Sequence, residues 1–130
     1  MVSTKGRYAL RTMIDLAEHS DEGSVPLKEI AERQEISKKY LEIIVRDLVK
    51  AGLVRGESGK GGGYRLTRAP SEISAGEIIE ATEGPFLTVA CLDAGASCPK
   101  VDRCKTFPLW EEYNRMTKEF FFSRKLSDLV

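Results

Sequence analysis

Three cysteines, Cys91, Cys98 and Cys104, fall within fourteen residues of a 130-residue chain. An odd number of thiols behind an N-terminus that lacks a signal-peptide pattern argues against a disulfide framework. They read as incidental thiols, as metal ligands or as redox sensors. Neighbouring soft thiolates suit an iron-sulfur cluster or zinc, although three of them leave a four-ligand site one donor short. The surrounding stretch from Phe86 to Lys105 shows little periodicity and many small residues. A bound metal would supply order that this composition does not. Lys100, Arg103 and Lys105 beside the thiols would also make them more acidic and easier to oxidise.

A second constellation lies between Leu27 and Leu66. Ser37, Lys38, Lys39, Glu42 and Arg46 share one helical face, a mixture suited to phosphates and base edges in a major groove. Tyr40 either reaches a phosphate with its hydroxyl or plugs the helix pair. LVRG and GYRL then flank a tip with four glycines and Lys60, as in a β-hairpin wing carrying Arg55, Lys60 and Gly61 toward a DNA backbone.

The elements that must position these residues follow from local pattern. A first helix is expected from Ser3 or Thr4 to about Glu18, with Leu10, Met13, Ile14 and Ala17 on its inner face and Lys5, Arg7 and Arg11 at its basic start. Leu27, Ile30 and Ala31 mark a second helix, and Leu41, Ile44, Leu48 and Ala51 a third whose N-cap is Ser37. Glu35 stands in the turn between them, where a left-handed backbone costs a non-glycine residue about 1 kcal/mol. His19 reads as a residue favoured by a helix C-terminus rather than as a metal ligand. Ser74 and Glu77 form a capping-box pattern that starts a fourth helix, and Gly84 with Pro85 ends it.

A last helix follows Thr106, with Pro108 tolerated in its first turn. Leu109, Tyr113, Met116 and Phe120 form its stripe, and Trp110, Thr117 and Phe121 widen it. That is more apolar surface than a small winged-helix unit covers, and pairing with a second copy is the expected outcome. The resulting organisation is mainly α. Residues 1–83 form a winged helix-turn-helix unit, 84–105 a cysteine-containing sensor loop, and 106–130 a dimerisation helix with a tail.

Charge separates along the chain, with eight Lys and Arg against three acids from Ile36 to Arg68 and seven against ten from Ser71 to Val130, although the totals are equal at 20 each. A segregated basic patch on a neutral protein points to a polyanion partner. No apolar run approaches a membrane span, so a cytoplasmic location is expected. One histidine, remote in sequence from the thiols, supplies no catalytic constellation.

The set RYAL (Arg7 to Leu10), IAERQEISKKYLE (Ile30 to Glu42), AGLVRG (Ala51 to Gly56), GGGY (Gly61 to Tyr64), ISAGEII (Ile73 to Ile79), LW (Leu109 and Trp110) and the closing KLSDLV resembles the IscR-type regulators, relatives of NsrR and CymR. The resemblance implies a homodimeric winged-helix transcription factor that binds a pseudo-palindromic double-stranded operator. It implies an iron-sulfur cluster, of the 2Fe-2S kind, on Cys91, Cys98 and Cys104, and a selectivity role for Glu42.

This chain departs from the family pattern at several places. Six residues rather than five separate the first two cysteines. Phe107 stands where cluster-binding members have a histidine ligand, Arg7 where another branch has an aspartate, and Ser58 where a DNA-contacting arginine is usual. Asp93, Asp102, Thr106 or an external molecule could supply the fourth ligand. An incomplete protein ligand set predicts an apo protein after exposure to oxygen. The competing readings are a cluster-free thiol-responsive or cysteine-metabolism repressor resembling CymR, and a winged-helix protein-interaction module.

Overall fold

The computed structural model describes residues 2–86, 92 and 99–130. Helix α1 spans Thr4–Glu18, α2 Leu27–Gln34 and α3 Lys38–Lys50, followed by strands β1 (Val54–Glu57) and β2 (Gly63–Leu66), then α4 (Ala75–Glu83) and α5 (Phe107–Ser123). This is a winged helix-turn-helix of mainly α class with one antiparallel hairpin, in which Val54 pairs with Leu66 and Glu57 with Gly63.

Local chemistry explains the helix ends. The Ser3 hydroxyl accepts from the Gly6 N–H, Ser37 does the same for Tyr40, and Ser74 and Glu77 complete a reciprocal capping box, each satisfying donors that a helix N-terminus leaves open. Glu35 closes α2 at φ 54° and ψ 45°, the left-handed turn expected there. Of the four glycines at the tip, Gly59 and Gly61 have open space where a Cβ would stand. A Cβ at Gly62 would strike the Glu57 carbonyl and one at Gly63 the Val25 carbonyl, so close backbone approach requires both glycines.

The core joins α1 to α2, α3, α4 and the hairpin through Met13, Leu16, Ile30, Leu41, Ile44, Leu48, Val54 and Ile78. Each such side chain contributes about 1.5–3 kcal/mol on burial. The inner face of α1 is rotated from the expected stripe: Ala9, Met13, Leu16 and Ala17 are buried, whereas Leu10 and Ile14 are half-buried. Ala51 is exposed because α3 ends at Lys50, and Val45 takes the inner position instead.

Two long-range joins complete the body. Val25 and Tyr64 exchange backbone hydrogen bonds of 2.9 Å, adding the residue before Pro26 to the hairpin edge. The C-terminal segment returns to α4: the Leu126 N–H donates to Ile73 at 2.8 Å and the Leu126 side chain is buried in the core. Among the described residues no helix is long and apolar enough to cross a membrane.

Candidate nucleic-acid interface and cysteine segment

Helix α3 presents two unlike faces. Leu41, Ile44, Val45 and Leu48 are buried, while Ser37, Lys38, Lys39, Glu42 and Arg46 are exposed, so an i, i+3, i+4 apolar pattern holds the helix down and leaves its polar face bare. Tyr40 lies between the faces. It is half-buried, with its ring 5.8 Å from that of Tyr8. Sequence reasoning passed over Ile43 and Val49, both large apolar residues exposed on α3. A groove of about 550 Å³ runs between α3 and the hairpin, lined by Leu27, Glu42, Val45, Arg46, Val49, Gly56 and Tyr64.

Of the basic residues at the start of α1, Lys5 and Arg11 are engaged within the protein. The Lys5 ammonium lies 2.6 Å from Asp47 of α3. Arg11 donates to the Gln34 backbone carbonyl and to its Oε1, with the guanidinium 5.1 Å above the Tyr8 ring. Arg7 contacts Thr4 at 3.1 Å. Asp15 is buried one turn further along. Arg33 donates to its carboxylate at 2.8 and 3.0 Å and Gln34 at 2.9 Å. Burial raises the Asp15 pKa, but the hydrogen bonds from Arg33 and Gln34 and the Arg33 charge outweigh it and hold the carboxyl below its usual range.

On the hairpin, Lys60 and Gly61 are exposed at the tip. Arg55 lies on β1 directly opposite Arg65 of β2, and both line a second cavity, of about 270 Å³, together with Arg68. The Glu57 carboxyl is held below its ordinary range, first by the Ser24 hydroxyl and then by the nearby Arg65 and Arg55 charges.

Cys91 and Cys98, like Asp93, lie outside the described residues, and among those described no group of three or more His, Cys, Asp or Glu side chains is arranged to hold a metal. Cys104 is described and half-buried just ahead of α5. Its Sγ lies 3.1 Å from the Thr106 hydroxyl. That contact, backbone N–H groups of Thr106 and Phe107, and the Lys100 charge lower the thiol pKa, as a helix N-terminus does. Thr106, one of the proposed fourth donors, is therefore placed beside Cys104. Asp102 is exposed in the turn before Cys104, and Phe107 begins α5.

Helix α5 buries none of its residues fully. Leu109, Tyr113, Met116 and Phe120 are each more than half exposed, at 51–58 %, and Trp110 is half-buried. Its far end docks through aromatic rings: Phe86 stacks on Phe121 at 5.3 Å and meets Phe122 edge-on at 6.0 Å.

A capped helix, anchored on one side and basic on the other beside a hairpin wing, defines a winged helix-turn-helix transcriptional regulator. The chain belongs to the Rrf2 family, described as iron-dependent transcriptional regulators, whose model matches residues 2–130. It is similar to the HTH-type transcriptional regulator IscR of Pectobacterium atrosepticum, at 41 % identity over 99 % of this chain and 78 % of the relative. Among solved structures it resembles T. potens IscR, with a TM-score of 0.80 and 40 % identity over 99 % of this chain and 85 % of that one. It also resembles CymR, the global cysteine regulator of B. subtilis, with a TM-score of 0.81 and 40 % identity over 99 % and 95 % of the two chains. The protein is thus a transcriptional regulator of the IscR type and not an enzyme.

Proposed function

We propose that this regulator acts as a homodimer that reads a pseudo-palindromic operator and answers to an iron-sulfur cluster on Cys91, Cys98 and Cys104. The observation that carries the DNA reading is the bare face of α3. Ser37, Lys38, Lys39 and Arg46 meet phosphates and base edges, Tyr40 flanks them, and Glu42 accepts a hydrogen bond from a cytosine amino group or repels phosphates and base acceptors. Lys60 and Gly61 at the wing tip approach the flanking backbone. Arg55, proposed from sequence for the same contact, also lines the separate cavity.

Three working segments fit this reading: residues 1–83 bind DNA, 84–105 sense, and 106–130 pair two copies through Leu109, Trp110, Tyr113, Met116 and Phe120. The exposed α5 stripe supports the pairing, because burying it twice in a C2 interface removes apolar area on both copies. Cys104 suits a metal ligand, since its surroundings favour the thiolate that soft metals bind. When bound, a 2Fe-2S cluster would supply iron- and redox-dependent charge and order at residues 84–105. The protein's own part is to hold the Cys104 thiolate against the start of α5, with the Thr106 hydroxyl beside it.

A second reading is cluster-free. The lowered pKa of Cys104 beside Lys100 also favours direct oxidation of a thiol, and the likeness to a cysteine regulator supports a response to cysteine metabolism.

Anaerobic reconstitution with iron and sulfide, followed by visible absorption and a DNA titration on the same sample, tests the proposal. Cluster bands with altered DNA affinity are expected. The slope of log affinity against log salt should be steep, falling by about 0.9 for each phosphate contact removed. No bands, with thiol-dependent DNA binding, would select the second reading.

A further inference from the structure

The hairpin has two faces, because alternate residues along a strand point to opposite sides. Gly56 and Tyr64 line the groove beside α3. Arg55 and Arg65 line the cavity of about 270 Å³ on the other side, whose apolar wall includes Leu16 and Pro70. Arg55 and Arg65 are direct cross-strand partners, a placement in which like charges destabilise a sheet.

Arg68 enters the same cavity from the segment leading to α4. Its two terminal nitrogens are held by the Glu72 carbonyl at 3.0 Å and Glu77 at 2.7 Å, so its guanidinium plane is set in advance. Glu57 lies near the other two guanidiniums, 3.4 Å from Arg65 and 3.8 Å from Arg55. It faces them at ion-pair rather than close hydrogen-bond distance and accepts the Ser24 hydroxyl instead. One carboxylate is therefore shared loosely between two guanidiniums, while a third, ion-paired to Glu77, lines the same cavity.

We propose that this cavity binds a small free oxyanion of the phosphate class, held by the forks of Arg55 and Arg65 and by the N–H groups of Arg68 not engaged by Glu72 and Glu77, with Glu57 as the resident counter-charge that it displaces. Guanidinium forks match the oxygen spacing of phosphate and hold it through paired, charge-assisted hydrogen bonds. A backbone phosphate of bound DNA has the same chemistry. The position of the cavity, across the hairpin from α3, favours a free anion over a duplex lying against the bare face of α3. A bound anion would bridge both strands of the wing to the segment that leads into α4.

The test follows arginine side-chain N–H signals by NMR while inorganic phosphate replaces chloride at constant ionic strength. Saturable shifts of Arg55, Arg65 and Arg68 are expected, with affinity weakened at least about tenfold in R65Q/R68Q and strengthened about threefold in E57Q. If R65Q/R68Q fails to fold, as judged by circular dichroism, the more exposed R55Q serves for the same phosphate titration. Shifts that do not saturate, or that persist unchanged in the folded variant, overturn the site. Operator titrations across salt separate the two phosphate sources. An unchanged salt slope in R65Q/R68Q supports a free anion, and a slope reduced by about 0.9 per lost contact assigns the arginines to the duplex backbone and overturns the proposal.

Discussion

The Asp15 carboxylate, only 1 % exposed, accepts two hydrogen bonds from Arg33, of 2.8 and 3.0 Å, and so ties the last turn of α1 to the last turn of α2. Gln34 joins the same carboxylate and receives Arg11 from the α1 side. The helix-turn-helix turn is thus clamped to α1 immediately before Glu35. Removing Arg33 leaves the buried carboxylate with the Gln34 amide but without its guanidinium, which is itself about a third exposed. R33Q should destabilise the fold by about 1–3 kcal/mol, the cost of lost hydrogen bonds to a buried charged group. A shift of the urea midpoint below 1 kcal/mol equivalent would contradict this account.

The same pair sets an acid limit. Asp15 has a folded pKa below its unfolded value, so its stabilisation is fully present above the unfolded carboxylate range and is lost as pH falls through the folded pKa. Unfolding free energy should therefore decline below about pH 4. R33Q should show a shallower decline, and parallel curves for the two proteins would rule out Asp15 as a contributor.

Glu35 is the one non-glycine residue with positive φ among those described. E35G relieves its left-handed strain, while glycine loses more backbone freedom on folding. A net gain of up to about 1 kcal/mol is expected, visible as a raised melting temperature with the helix content kept. A lowered melting temperature would mean that the Glu35 side chain contributes more than its backbone costs.

At Gly76, two effects oppose each other. Alanine improves helix propensity by up to about 1 kcal/mol, but its Cβ would overlap the Phe122 ring where α4 meets α5. Overpacking costs about 1–3 kcal/mol, so G76A should be destabilising and should expose the α5 junction to limited proteolysis. A stabilised variant would show that Phe122 moves aside freely.

On the proposed pairing face, Met116 is 58 % exposed. M116E should weaken self-association by at least about 2 kcal/mol, as loss of a central anchor does, and sedimentation should detect monomer. Since Met116 is not part of the core, its thermal unfolding as a monomer should stay cooperative.

Much of the fold was legible because the signals are local. Ser37, Ser74 with Glu77, and the left-handed Glu35 each act within one helical turn, so their residue types identify them without knowledge of the rest. Periodicity likewise gave α3 its buried and bare faces, and with them the candidate DNA contacts. It placed the stripe of α1 less well, because Leu10 and Ile14 satisfy helical spacing as fully as Ala9 and Leu16 do, and only the neighbours decide which pair is covered.

The amino-acid sequence alone therefore determined the elements, their caps, the basic face of α3, the exposed stripe of α5 and the cysteine cluster. Tertiary structure decided what no local pattern carries: Asp15 against Arg33, the bridge from Val25 to Tyr64, the return of Leu126 to the core, and three arginines around one cavity. The first three of these join residues 18, 39 and 53 positions apart. Their partners are chosen by how helices and hairpin pack, and the backbone period of a single element holds no information about that choice.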